Sequence, residues 1–248
     1  MKSTTSISIV VLVGIVIGLI AGGLPTFSIA NNIEAVRPGV VHILKEGECQ
    51  GSGAIISSDG IIFTAKHVTD GTQGSYTVTL DDGRKFNTKA VVEMKENDIA
   101  FMQLDLPEGT VLPYVRLSNK EPRVGDMVVI GGSPFGIENF NTFTVGIVSA
   151  KDRELGGPYN WHVMTQTDSA ANPGNSGGPV FNMSNEVVGV LVAGYNATLN
   201  YSVPVARFRK TIRIARRMLE MQQFQTINEA PVIEYGRYDY GELQTVGD

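Results

Sequence analysis

Short runs rich in β-branched and aromatic residues, each ended by a turn signal, dominate this chain from Val40 onward. The first series reads VVHIL, GAIIS, GIIFTA, YTVTL, FNTKAVVEM and IAFMQLD, with turns such as SSDG and LDDG between its members. A second series follows: MVVIGG, NTFTVGIVSA, HVMTQTD, PVFN, EVVGVLVAG and NYSVPV. β-branched side chains suit a pleated surface, and Gly-, Asp- and Ser-rich breaks supply the tight reversals. With no helical period between them, strands at this spacing predict an all-β barrel or sandwich. A turn-rich stretch over residues 112–122 divides the two series. At 248 residues the chain can bury a good core as one large domain or two small lobes.

The flanks read differently. After Lys2, residues 7–24 (ISIVVLVGIVIGLIAGGL) carry no charged side chain, and eighteen helical residues reach roughly 27 Å, close to the hydrocarbon thickness of a bilayer. This leader, residues 1–30, is read as an uncleaved signal anchor. The alternative is a signal peptide cut after Ala30, where Ser28 and Ala30 form a small-x-small pattern. Lys2 keeps the N-terminus inside, so the remainder lies outside the cytoplasm, periplasmic or extracellular, in both cases. NNIEAVRPG predicts a short helix capped by Asn31 or Asn32 and stopped by Pro38. Over residues 205–223 a second helix is expected, with Val205, Phe208, Ile212, Ala215 and Leu219 on one stripe. Arg207, Arg209, Lys210, Arg213, Arg216 and Arg217 crowd its other faces; an ordinary packed helix is weighed against one that binds an anionic membrane surface. Residues 224–248 are polar and net acidic without a period, and are read as a mobile tail. The expected domains are therefore the leader 1–30, a lobe over 31–115, a lobe over 116–204, the helix and the tail.

Charge and residue usage narrow the function. A net charge of −5 gives no electrostatic footprint for nucleic acid. One cysteine, Cys49, excludes an intramolecular disulfide framework, and three histidines with no helical ligand spacing predict no metal site. Nothing in the sequence calls for a cofactor.

The stretch TDSAANPGNSGGPVF, residues 167–181, sets Ser176 among Gly and Pro residues that fit neither helix nor strand. A surface turn is the simple reading. Upstream, FTAKHVTDG places His67 just after an apolar strand, and KENDIAFMQLD places Asp98 just before one. Each signal alone is weak. In chain order they supply a histidine, an acid and a serine, each at a strand end or loop.

The blocks GSGAII…TAKHV, NDIAFMQLD and TDSAANPGNSGGPVFN…EVVGV…YSVPV resemble the protease domain of the HtrA/Deg serine peptidases, over roughly residues 31–210. That resemblance implies two six-stranded antiparallel β-barrels of the chymotrypsin-like fold, here with an N-terminal hydrophobic helix and a C-terminal amphipathic one. It also implies a serine endopeptidase acting on exported or unfolded polypeptides in protein quality control. Family members often form trimers, so a homo-oligomer is a further expectation. The chain departs from the family pattern at Lys66, where Ala or Asn is usual, and at Ala171, where an aliphatic residue such as Ile is common. The residues after Val205 leave no room for the family's peptide-binding PDZ domain.

The chemistry gives each residue a task. An alkyl hydroxyl needs a base, so Ser176 would be the nucleophile and His67 its base, a neutral imidazole having a pKa of about 6.5. Asp98 would hold the other ring nitrogen and stabilise the imidazolium. The turn at Gly174, Asn175 and Ser176 would aim backbone N–H groups at the oxyanion of the tetrahedral intermediate. Asn175 stands where digestive relatives carry an aspartate that pairs with a freed N-terminus, so activation by N-terminal cleavage is not implied. By resemblance, Ala170 is the base of the primary pocket and Leu191, Val192 and Ala193 form its wall. An uncharged pocket of this kind selects Val, Ala, Ile, Leu or Met. Two other functions compete. One is a non-catalytic, membrane-anchored protein-binding module on a protease fold; the other, a cysteine peptidase, is disfavoured because Cys49 is far from the glycine-rich turn.

Overall fold

The computed structural model describes residues 28–45, 50–69, 76–94, 97–156, 162–221 and 225–227. The apolar run at 7–24, Cys49 and the tail after residue 227 lie outside the described residues. Among those described, no helix is long and apolar enough to cross a membrane. Contacts separate Met1–Asn31 from one compact body, Asn32–Asp248.

Within that body the first strand series forms β1 (Val40–Lys45), β2 (Gln50–Ile55), β3 (Ile61–Ala65), β4 (Tyr76–Thr79), β5 (Lys85–Met94) and β6 (Ile99–Leu104). They pair antiparallel in the order β5-β4-β1-β2-β3-β6, and β6 returns to β5 to close the ring. A two-residue strand, β7 (Arg116–Leu117), precedes β8 (Met127–Gly132), β9 (Thr142–Arg153), β10 (Met164–Thr167), β11 (Pro179–Asn182), β12 (Glu186–Asn196) and β13 (Leu199–Pro204). The last six close in the order β11-β8-β9-β10-β13-β12, with β12 returning to β11. Two closed six-stranded antiparallel barrels result, as the family resemblance implies, and closure removes most of the unpaired edges an open sheet would expose.

The burial pattern explains why these runs become strands. All of β3, Ile-Ile-Phe-Thr-Ala, is buried. β5 alternates through Lys89 and is continuously buried from Ala90 to Met94, where both of its faces are covered. The chain passes between barrels at residues 115–116. Leu112 and Val115 donate backbone N–H groups to Ser58 and Ile55 of the first barrel. Arg116 and Leu117 pair in parallel with Glu186 and Val187 of β12.

The helices differ from expectation in detail. The first, α1 (Ile29–Val36), starts ahead of Asn31 and Asn32 because Ser28 serves as its cap, its Oγ accepting the Asn31 N–H at 3.4 Å. Its last turn, Arg37–Gly39, tightens to a 3-10 helix where Pro38 removes a donor. A one-turn helix, α2 (Lys66–Thr69), follows β3. The single helix expected over 205–223 is instead α3 (Val205–Phe208), a 3-10 turn (Arg209–Thr211) and α4 (Ile212–Glu220). Thr211 causes the break, since its buried hydroxyl bonds back to Phe208 O at 2.6 Å and competes with the regular ladder. The expected tail also contains structure. Residues Gln225–Ile227 form β14, which pairs in parallel with Val92–Met94 of β5 and covers that strand's free edge.

Candidate active site

The candidate residues lie in turns at strand ends: His67 after β3, Asp98 before β6 and Ser176 before β11. His67 lies in α2, immediately after β3. That turn is tied down at its far end: Thr69 Oγ1 lies within hydrogen-bond distance of Lys66 O, at 2.7 Å, and of Glu93 Oε1, and Tyr76 OH donates to Thr69 O. Asp98 sits in the turn before β6, fully buried, in the left-handed region at φ 50°. An acidic residue tolerates that conformation better than a branched one.

This backbone twist wraps Asp98 around the His67 turn. Its carbonyl accepts the Lys66 N–H at 3.0 Å, its Oδ1 accepts the His67 backbone N–H at 3.0 Å, and its Oδ2 accepts the ring Nδ1–H at 2.8 Å. A proton held on Nδ1 by a carboxylate leaves the lone pair on Nε2. The ring is partly open to solvent while the carboxylate is sealed, so the pair is rigid on one side and reachable on the other.

Ser176 belongs to the second barrel, in the turn leading into β11. The turn packs against the first barrel at the end of β3, next to the His67 segment. A Cβ on Gly177, at φ 82°, would lie 2.1 Å from Thr64 Oγ1 and 2.3 Å from Ser52 O, so only glycine allows this approach. Gly174, at φ 98°, is likewise confined, with Ser133 O 2.3 Å from its ideal Cβ position. Carbonyls in the turn are pinned one after another. Pro173 O accepts from Phe135 N–H at 2.7 Å, Asn175 O from Gly178 N–H at 2.9 Å and Ser176 O from Ser52 N–H at 2.8 Å.

Of the three expected oxyanion residues, the structure separates one from two. The Asn175 N–H is used inside the turn, donating to Asn172 O at 3.0 Å. Among the described residues, the N–H groups of Gly174 and Ser176 have no protein acceptor. The Asn175 side chain is buried against Gly132, with no hydrogen-bond partner for Oδ1 among the described residues.

The expected pocket residues divide in the same way. Ala170 is half-buried, and its carbonyl accepts from Thr144 Oγ1 at 2.7 Å. Leu191 and Val192 are buried in the apolar cores on opposite faces of β12. Leu191 therefore meets the Ser176 turn through its backbone, accepting from Gly177 N–H at 2.7 Å and donating to Gly178 O at 2.9 Å. Only Ala193 of the wall trio is half-exposed.

Sequence reasoning missed three residues here. Ser52, Thr64 and Asn200 are buried and polar. Asn200 Nδ2 donates to Ser169 O and Ala197 O, both at 2.9 Å, so its carboxamide ties β13 to the segment just before Ala170, opposite Gly194. Ser52 stands in the GSG run that carried part of the resemblance, yet nothing in that run reveals that it reaches Gly174 across 122 positions.

Known proteins share the fold and much of the sequence. The pattern of the trypsin-like peptidase domain matches residues 51–190. A probable periplasmic serine endoprotease, DegP-like, of Brucella suis is 38% identical over 170 residues, covering 66% of this chain and 32% of the relative. Its counterpart in Pseudomonas savastanoi is 44% identical over 148 residues, covering 59% of this chain and 29% of the relative. This chain thus spans about a third of the length of such relatives. Among solved structures, the HtrA-type protease AlgW with tripeptide superposes with a TM-score of 0.67 at 30% identity, over 79% of this chain and 65% of that one. The serine endoprotease from Yersinia pestis gives 0.65 at 28% identity, over 78% and 68%.

Proposed function

Since this chain belongs to the trypsin-like peptidase domain family, we propose that it is a serine endopeptidase of the HtrA type that cuts unfolded polypeptides outside the cytoplasm. The carrying observation is the 2.8 Å bond between His67 Nδ1 and the buried Asp98 carboxylate. It leaves His67 Nε2 as the basic atom, on the segment beside the Ser176 turn.

In this reading Ser176 Oγ attacks the carbonyl carbon of the scissile bond as its proton passes to His67 Nε2. The tetrahedral oxyanion is received by the free N–H groups of Gly174 and Ser176. When the C–N bond breaks, His67 returns that proton to the leaving amine. Water then repeats the sequence on the acyl-enzyme: it loses a proton to His67, attacks the ester carbon and expels Ser176 Oγ, which takes the proton back. Asp98 keeps its charge throughout and stabilises the imidazolium.

Ala170 offers no charge to a lysine or arginine side chain, which would be buried unpaired at a cost of several kcal/mol. Substrate is an extended segment cut after Val, Ala, Ile, Leu or Met, with broad preference, since one methylene contributes only about 1–3 kcal/mol. Relatives named as periplasmic support the location, and the apolar run at 7–24 would anchor the chain in the membrane with the barrels outside.

The test uses the full chain recovered from the membrane fraction of expressing cells. It should digest casein at aliphatic sites, read by mass spectrometry of the products, while Ser176→Ala does not. Equal cutting by the two proteins would remove the peptidase reading. Cuts mainly after Lys or Arg would remove the pocket assignment alone.

A further inference from the structure

Two hydrogen-bond donors can hold an oxyanion only if the peptide groups that carry them do not turn. In a trans peptide the N–H points opposite to the preceding C=O, so each donor is aimed by the partner of the carbonyl behind it. Gly174 N–H is aimed by the bond from Phe135 N–H to Pro173 O, and Ser176 N–H by the bond from Gly178 N–H to Asn175 O. Between them lies the Gly174–Asn175 peptide. Inside the turn this peptide is held only at its N–H end, where Asn175 N–H donates to Asn172 O at 3.0 Å, and Gly174, at φ 98°, has no side chain to resist rotation. This peptide is where the two donors would come out of alignment.

One residue from outside the turn grips that point. Ser52 Oγ donates to Gly174 O at 2.7 Å and accepts Ser133 N–H at 2.9 Å, bridging the turn to the loop that supplies Phe135. Ser52 N–H donates to Ser176 O at 2.8 Å, and Ser52 O accepts Thr64 Oγ1 at 2.8 Å. Ser52 is fully buried on β2 of the first barrel, and its bonds to Ser133 and Thr64 are buried, while those to Gly174 and Ser176 reach partly exposed residues of the turn. A hydroxyl has one proton to donate, and here it goes to Gly174 O.

We infer that Ser52 is the positioning residue of the oxyanion site, its hydroxyl locking the Gly174–Asn175 peptide so that the flanking N–H groups converge. It touches no substrate. It acts through Gly174 and Ser176, and it makes their alignment depend on contact between the two barrels. The inference rests on the peptidase reading above.

The test compares wild type, Ser52→Ala and Ser52→Cys, with reductant present, on a peptidyl-valine p-nitroanilide, and with the matching peptidyl-valine aldehyde as inhibitor. The aldehyde adds to the serine and places its oxyanion where the intermediate's would be. Cysteine keeps the side chain's shape but is a weak donor and acceptor, so it separates bonding from packing. Both variants should lose about tenfold to a hundredfold in kcat, the order expected for misplaced donors, with KM within about twofold. The aldehyde should weaken by the factor lost in kcat/KM. Ser52→Cys should keep the wild-type melting temperature, so it carries the result even if Ser52→Ala folds poorly. If wild type turns over in a Ser176-dependent way while both variants keep kcat within threefold, Ser52 has no positioning role. A rise in KM with unchanged kcat would overturn it equally. Absence of Ser176-dependent turnover in wild type would remove the peptidase reading itself, whatever Ser52 does.

Discussion

His42 lies on β1 with only 2% of its surface exposed, opposite Ser52 on one side and Thr79 on the other, with the Phe140 ring 6.1 Å away. Among the described residues its Nδ1 has no hydrogen-bond partner. Burial lowers its pKa below the ordinary value; Glu138 opposes that shift and Lys85 adds to it. The unfolded chain therefore binds this proton more tightly than the folded one, and stability must rise with pH over the interval between the two pKa values. On acidification the loss begins near histidine's ordinary value, about 6.5, and continues down to the lower folded-state value. Melting temperatures measured from pH 7.5 to 5 should fall less steeply for His42→Gln than for wild type. Parallel slopes would show that another group carries the pH dependence. At this scale the sequence was informative about identity and silent about partnership. The Ser176 turn stands out by its local composition, whereas His67 and Asp98 are weak signals alone and are joined to it only by chain order and by resemblance to a family. Ser52 and Asn200 were not legible, because their hydrogen bonds close only after the barrels form, and no local pattern of residues encodes them.

The segment after β13 shows how a pattern can be right about a face and wrong about an element. Of the expected stripe, Val205, Phe208, Ala215 and Leu219 are buried and Ile212 is partly buried against the same core. The 3-10 turn at Arg209–Thr211 shortens the helix without moving the stripe to another face, so periodicity could not reveal it. What the stripe buries is specific. Phe208 is fully buried between Phe63 of β3 and Phe101 of β6, with ring centroids 6.3 and 6.2 Å away. Those strands end at His67 and begin at Asp98, so the C-terminal segment buttresses the wall that carries both. Phe208→Ala should cost about 3–5 kcal/mol in denaturant unfolding, the usual range for emptying an aromatic site. Arg216→Ala, which removes an exposed pair with Asp59 at 2.6 Å, should cost less than about 1 kcal/mol. A smaller loss at Phe208 than at Arg216 would mean the segment is held by charge instead of packing. The cap at Ser28 and the strand at Gln225–Ile227 were illegible for a related reason. Both depend on where neighbouring chain happens to lie, and three residues paired to an edge carry too little pattern to be read.

Across the whole molecule, the twelve apolar runs were legible as strands because closed barrels demand short, evenly spaced, mostly buried segments. Their closure into two six-stranded antiparallel barrels was supplied by resemblance to a family, since alternation fixes which face is buried but not which strand lies beside which. The same architecture divides the site between the halves. The first barrel contributes His67, Asp98 and Ser52, and the second contributes Ser176 and its turn. Neither barrel alone holds a complete set, so the central claim is that the folded chain brings one histidine to bear on one serine. The most direct measurement is labelling of the full chain with a fluorophosphonate, followed by mapping of the modified peptide. A single adduct on Ser176 is predicted, absent from Ser176→Ala and reduced by at least about a thousandfold in rate in His67→Ala, both variants melting like wild type. An adduct on another residue, or undiminished labelling of Ser176 without His67, would contradict the account.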